Sequence, residues 1–263
     1  MKSYNPILRR LTTLVLIVTA TFSFPHIIYA QSNDELNAQQ IFEEIVNYYD
    51  PNETWDTLKG KLQHTSLMNG KLTTQEILID NKNNIYECIR NREDGVFIKG
   101  VKNGNSFFTI NGKAYNADEI PEKYQKYPYS LSEYYAQVYE EHHTFHFSMP
   151  LALKKAGAIP VEGVGKKYLF GKACHSIKFK EYPNHFEGGY YGIPMTIYVI
   201  PEEKYRIHAV HLDNGWGDAK EGLIILFDGE IEVGEIKVPA SKLTFFAASL
   251  KFLIVDTFEN MSE

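Results

Sequence analysis

His142, His143 and His146 place three of the chain's nine histidines within five residues, directly after Glu140 and Glu141. On a helix, positions 142 and 146 share one face, where two imidazoles and a carboxylate such as Glu141 could grip one zinc ion. In a strand the same positions also share a face, but roughly 13 Å apart, too far for one metal. Thr144-Phe145-His146-Phe147 alternates like a strand and Pro150 follows closely, which favours the strand spacing. There is no HExxH and no histidine–carboxylate motif of recognised spacing. A bland reading therefore competes with a metal-dependent hydrolase: histidines near a helix C-terminus interacting with its dipole. His208 and His211 have opposite strand parity and add nothing to a common site.

Other chemistry is thinner. No G-x-S-x-G elbow is present, and no glycine-rich loop stands between a strand and a helix. Asp213/Asp218 and Glu202/Glu203 fall in turn-like composition, where paired carboxylates face solvent. Cys88 and Cys174 are the only cysteines. Without a C-x-x-C, redox catalysis is not indicated; a disulfide between them in an oxidising compartment competes with two separate thiols.

The elements that would position these residues follow from periodicity. Ile41, Ile45, Val46 and Tyr49 recur at helical spacing behind Ser32 and Asn33 as candidate caps, predicting a helix over 33–49. Asp50-Pro51-Asn52-Glu53 reads as the start of a second short helical turn. From Lys59 the period becomes two. Strands are predicted at Leu62–Met68, Thr73–Asp80, Asn84–Arg92, Gly95–Val101 and Asn105–Ile110. Asn69-Gly70, Asn103-Gly104 and Asn111-Gly112 are hairpin turns, because both residues of a primed turn take positive φ. A helix follows over 130–142, and the stretch beyond it is predicted to cross from helix to strand. Further strands are Lys167–Phe170, Ala173–Glu181, Tyr190–Ile200, Tyr205–Leu212, Gly222–Asp228, Ile231–Val238 and Leu250–Phe258. No strand–helix alternation of the doubly wound kind appears. The expectation is a mainly β (α+β) protein. One large curved antiparallel sheet forms an incomplete barrel, with an N-terminal and a central helix over its concave side.

Residues 1–30 stand apart. Lys2, Arg9 and Arg10 precede an apolar run from Leu11 to Phe24, and Ile28-Tyr29-Ala30 resembles a cleavage site, which together predict a secretory signal peptide. Residues 31–263 then form a single domain, exported to the periplasm and monomeric. Because the leader holds three basic residues and no acidic one, the mature chain carries about −9. That charge disfavours nucleic acid as a partner.

The order of elements resembles the LolA/LolB-like lipoprotein carriers. More closely, YYDPNETWDTLKGKL (Tyr48–Leu62), FHFSMPLALKKAGA (Phe145–Ala158) and IKFKEYP (Ile177–Pro183) are similar to an uncharacterised family of exported Bacteroidetes proteins. The carrier resemblance implies an incomplete barrel that holds a lipid, acyl chain or other apolar ligand without chemistry or cofactor. The apolar sets Tyr191/Ile193/Met195/Ile197/Val199, Leu223/Ile225/Phe227 and Ile177/Phe179 need a cover. Candidate lining residues are Tyr135, Phe145, Phe147, Met149, Met195 and Ile197. A third reading is a protein-binding module using a sheet edge or an aromatic patch such as Tyr190/Trp216.

Overall fold

The computed structural model describes residues 36–116, 119–124, 134–180, 194–213 and 222–261. The leader predicted at 1–30, the predicted first-helix caps Ser32 and Asn33, and Tyr190, Tyr191, Ile193 and Trp216 lie outside them, as do the side chains of Tyr135 and Glu141. Helix α1 spans Ala38–Tyr49 and opens on Asn37, whose side chain accepts from the Gln40 amide at 2.9 Å while Gln40 Oε1 accepts from the Asn37 amide at 2.9 Å. This reciprocal cap satisfies two orphan helix donors. Its Ile41, Phe42, Ile45, Val46 and Tyr49 are buried, each contributing about 1.5–3 kcal/mol by leaving water.

The expected helical turn at Asp50 is corrected. Asp50 does cap, but its carboxylate reaches on to the amides of Thr54 (2.8 Å) and Trp55 (2.9 Å), and the turn that follows is a 3-10 turn at Trp55–Thr57. Glu53 sits at φ +53, outside helical space, so the chain between cap and turn cannot continue as helix.

Thirteen strands follow among the described residues: β1 Lys59–Met68, β2 Lys71–Asp80, β3 Ile85–Arg92, β4 Gly95–Lys102, β5 Asn105–Ile110, β6 Lys113–Ala114, β7 Gly165–Leu169, β8 Lys172–Phe179, β9 Met195–Ile200, β10 Arg206–Leu212, β11 Leu223–Val233, β12 Ile236–Phe246 and β13 Phe252–Asn260. They form one antiparallel sheet in the order β6-β5-β4-β3-β2-β1-β13-β12-β11-β10-β9-β8-β7, not closed into a barrel. Two meanders thus meet where β1 pairs with β13, from Leu62↔Asn260 to Met68↔Ile254. Asn69-Gly70, Asn103-Gly104 and Asn111-Gly112 all have positive φ, as hairpin turns require.

The predicted separation of Gly222–Asp228 from Ile231–Val238 is also corrected. β11 runs through Gly229, paired without a register gap from Leu223↔Phe246 to Val233↔Ile236, and the reversal comes at Gly234.

Helix α2, Tyr134–Lys155, connects the outer strands β6 and β7 across the inner face. The helix-to-strand crossover expected after residue 142 is not what forms. Helix continues to Lys155 with a kink at Ser148 (φ −135, ψ 33). Pro150 has no amide hydrogen and its ring crowds the carbonyl four residues back, which breaks the ladder there. Ser148 Oγ donates to the Thr144 carbonyl at 2.8 Å and keeps that acceptor satisfied. The helix survives because both flanks bury apolar groups: Phe145, Phe147, Met149, Leu151 and Leu153 join α1 and the inner faces of β8–β12 in the main core.

Candidate functional site

α2 crosses the inner face over a band of polar side chains. In an alternating strand, residues two apart share a face. Leu62, His64 and Ser66 therefore look inward from β1, and Gln75 and Ile77 from β2. Register then places these groups side by side. Lys242 stands opposite Asp256 in the β12–β13 ladder, His64 opposite Gln75 in β1–β2, and Cys88 opposite Lys99 in β3–β4. Above them α2 supplies Tyr139, His142, His143 and His146.

The band is hydrogen-bonded. Arg90 Nε donates to Gln75 Oε1 at 2.7 Å, and the Cys88 thiol donates to the same oxygen at 3.3 Å. Arginine has only donors, so this contact fixes which end of the Gln75 amide faces β3. Gln75 Nε2 therefore points the other way and donates to His64 Nδ1 (2.9 Å) and to His143 Nε2 (2.7 Å). Each of these nitrogens must be an acceptor, so both imidazoles are neutral. Their protons sit on His64 Nε2, which donates to Asp256 Oδ1 at 2.9 Å, and on His143 Nδ1, which donates to the Tyr86 hydroxyl. Lys242 Nζ donates to His146 Nδ1 and lies 3.8 Å from Asp256 Oδ2.

Burial governs the charges. It lowers the basicity of His64, with the Asp256 bond opposing, and holds His143 and His146 well below the ordinary range. Burial and then the Lys242 charge bring His142 to about 3. Lys242 and Lys99, 1% and 2% exposed, fall to about 7, again from burial first. Burial alone would raise Asp256, but the His64 hydrogen bond and the Lys242 charge outweigh it and pull the carboxyl to about 2. Lys99 Nζ lies 3.5 Å from the Tyr139 ring centroid, a cation–π contact that helps hold a desolvated ammonium.

Beside this band lies a cavity of about 410 Å³ between α2 and the sheet. Inward-facing Ile79, Tyr86 and Val101 line it from the sheet. Glu140, Thr144 and Lys155 close it from α2, and Asn81, Asn84 and Asn103 rim it from hairpin turns. Its lining is thus more polar than apolar, with the apolar groups confined to the sheet side.

The six expected lining residues divide. Phe145, Phe147, Met149, Met195 and Ile197 are all buried in the main core, packed among each other and α1, and do not line this cavity. The Tyr135 side chain lies outside the described part. His142 and His146 do share a helical face, with ring centroids 4.1 Å apart. Among the described residues, however, no group of three or more histidine, cysteine, aspartate or glutamate side chains could hold a metal. The Lys242 amine also occupies His146 Nδ1. Cys88 and Cys174 are free thiols. Cys88 belongs to the inner core, whereas Cys174 sits with Tyr198, Ile200 and Ala209 in a separate cluster, which the opposite parity of Cys174 to Ile177 and Phe179 explains.

Gln75, Tyr86, Lys99, Lys242 and Asp256 escaped the sequence reading. A signal existed for one of them: Lys99 alternates with Phe97 and Val101, so a charge stands at core parity.

Among solved structures, the chain is similar to a LolA superfamily protein from Nitrosomonas europaea, with 8% identity, 87% of this chain and 95% of that one covered, and a TM-score of 0.47. A DUF1329 family protein from Desulfovibrio piger shares 10% identity over 84% and 91%, at 0.39. The Mycobacterium tuberculosis lipoprotein LppX shares 9% over 85% and 97%, at 0.29. Comparison with curated proteins finds no match. A family profile described as "Family of unknown function (DUF6503)" matches residues 20–211, well over half of the chain, and the chain belongs to that family.

Proposed function

We propose that this protein holds an apolar or amphipathic small molecule, such as a lipid or acyl chain, between α2 and the inner face of its sheet. The observation that carries this reading is the cavity of about 410 Å³ bounded by Ile79, Tyr86 and Val101 below and α2 above. Its size falls in the ordinary range of ligand pockets, about 300–1,000 Å³. A mostly polar lining around a small apolar floor suits an amphipathic molecule better than a wholly apolar one. Phe145, Phe147, Met149, Met195 and Ile197 form the packed layer that a longer chain would enter if α2 shifted at its Ser148 kink.

The protein acts as a binder in the envelope, delivered there by its leader at 1–30, and works as a monomer. No helix among the described residues is long and apolar enough to cross a membrane. Native mass spectrometry and solvent extraction of the purified mature protein test the reading. A co-purifying apolar molecule is the expected result. Repeated absence of any, with no uptake of alkyl probes, overturns it.

Metal-dependent hydrolysis at His142 and His146 is the second reading, favoured by their 4.1 Å ring separation. The Lys242 amine against His146 weighs against it, since a cation there opposes a second one. Stoichiometric zinc in the purified protein would revive it.

A further inference from the structure

Two turns stand side by side at one end of the sheet. β1 pairs with β13, Met68 opposite Ile254, so the β1–β2 turn at Asn69-Gly70 lies beside the turn that joins β12 to β13. Both carry apolar side chains into solvent: Leu72 is 65% exposed and Leu250 52%, and Met68 and Phe252 are exposed too. Leu67 extends the patch onto the outer face, opposite both Leu72 and Val255. One row further in, the outer face of the same strands is polar, with Thr65 opposite Thr74 and Thr257, and Ser241 opposite Asp228.

The Leu250 backbone is a second signal. Its φ of +51 is left-handed, a conformation that crowds a branched side chain and that Asn69 adopts, at the same φ, in the neighbouring turn. The turn holds it there: the Leu250 amide donates to the Phe246 carbonyl at 2.9 Å, and the Phe246 amide to the Lys251 carbonyl at 3.0 Å. A half-exposed leucine does not offset that strain by burial. Phe252 is braced from one side, edge-on to Phe245 at 5.9 Å, which stacks on Phe170 at 6.0 Å.

Charge points the same way. Segments 68–72 (MNGKL) and 247–252 (AASLKF) hold Lys71 and Lys251, both exposed, and no acid, in a chain where acids outnumber lysine and arginine 33 to 27. The next turns along this end do hold acids, Glu93 and Asp94 between β3 and β4 and Asp213 after β10, so the basic apolar region is bounded to these two turns.

We infer that the β1–β2 and β12–β13 turns together form a docking tip for an anionic lipid surface. Leu72, Leu250 and Phe252 enter the headgroup layer, while the Lys71 and Lys251 ammonium groups meet lipid phosphates. Turn ends project rather than enclose a groove, which suits shallow insertion between headgroups. The cavity is rimmed at the opposite end of the sheet by Asn81, Asn84 and Asn103, so this inference stands apart from the ligand-holding reading.

Flotation of the mature protein with vesicles tests it, using phosphatidylcholine alone or mixed with phosphatidylglycerol. Binding to the mixed vesicles is expected to be about 25-fold tighter, at about fivefold per lysine, and the difference should vanish in high salt. Leu250→Asn and Leu72→Ser are each expected to weaken binding about tenfold, the worth of one partly exposed leucine side chain. Because asparagine suits the left-handed backbone, Leu250→Asn should leave the urea midpoint unchanged or raised, which a leucine kept for folding would not do. The variant Lys71→Glu/Lys251→Glu changes only exposed side chains and should abolish the preference for mixed vesicles. Four results overturn the inference. These are no binding to either vesicle, binding that both leucine variants leave intact, a urea midpoint that Leu250→Asn lowers, and a dimer in sedimentation that Leu250→Asn disperses, which would make the turns a contact between copies.

Discussion

Gln75 stands directly opposite His64 in the β1–β2 ladder, and the same amide nitrogen lies 2.7 Å from His143 Nε2 on α2. One side chain thus ties the central helix to the middle of the sheet. Replacing it with leucine keeps the volume but leaves Arg90 and two imidazoles without their bond. Gln75→Leu is expected to cost about 2–4 kcal/mol, because unmade bonds at buried polar groups carry their full desolvation penalty. Urea unfolding measures this, and a loss under 1 kcal/mol would show that the band does not bear on stability.

The buried pair Lys242–Asp256 is coupled to His64 and His146. Asp256→Ala strands a desolvated ammonium and an imidazole donor, and should cost about 3–5 kcal/mol. The double variant Lys242→Met/Asp256→Ala should be more stable than Asp256→Ala alone, since no unpaired charge remains. A double variant as damaged as the sum of its parts would contradict that coupling.

Stability should rise with pH from the acid side. His64, His142, His143 and His146 all have folded basicity below the unfolded value, so the unfolded chain binds the extra protons. Their contribution is complete above about pH 6.5 and is lost as pH falls toward about 3, the value for His142. Asp256, held at about 2, adds to the loss at the acid end. Lys99 and Lys242, at about 7, extend the same sign upward toward the unfolded lysine value. Thermal melts at pH 5, 6, 7 and 8 should show Tm increasing at each step; a maximum at pH 5 would contradict the buried neutral band.

Thr144 faces the cavity from α2 and is only half-buried. Thr144→Trp should fill much of the space and weaken alkyl-probe binding at least about tenfold, with the far-ultraviolet circular dichroism spectrum unchanged. Undiminished binding would place the ligand elsewhere, most directly in the layer under Phe145 and Met149.

The hairpin series was legible because its cues are local. Asn-Gly at 69–70, 103–104 and 111–112 demands positive φ whatever surrounds it, and period-two alternation states which residues share a face. The break within 222–238 was misjudged because Gly229 and Gly234 look alike in sequence, and only cross-strand pairing tells a glycine inside a strand from one in a turn. The helix through His146 was missed for a related reason. Pro150 and the alternation at 144–147 argue against helix locally, but burial of Phe145, Phe147 and Met149 against two layers overrides that.

By itself the sequence determined the class of the fold, the positions of its turns, and the acidic character of the chain. Each depends on residues within a few positions of one another or on simple composition. Only the tertiary structure decided what stands around the histidines. His64, Gln75, His143, Lys242 and Asp256 are brought together by the β1–β13 pairing in the middle of the sheet and by α2 crossing from β6 to β7. Lys242 and Asp256 stand nearly a hundred positions or more from His143, and no local pattern encodes that distance. The accepting roles of His64 Nδ1, His143 Nε2 and His146 Nδ1 follow from neighbours that the chain order conceals.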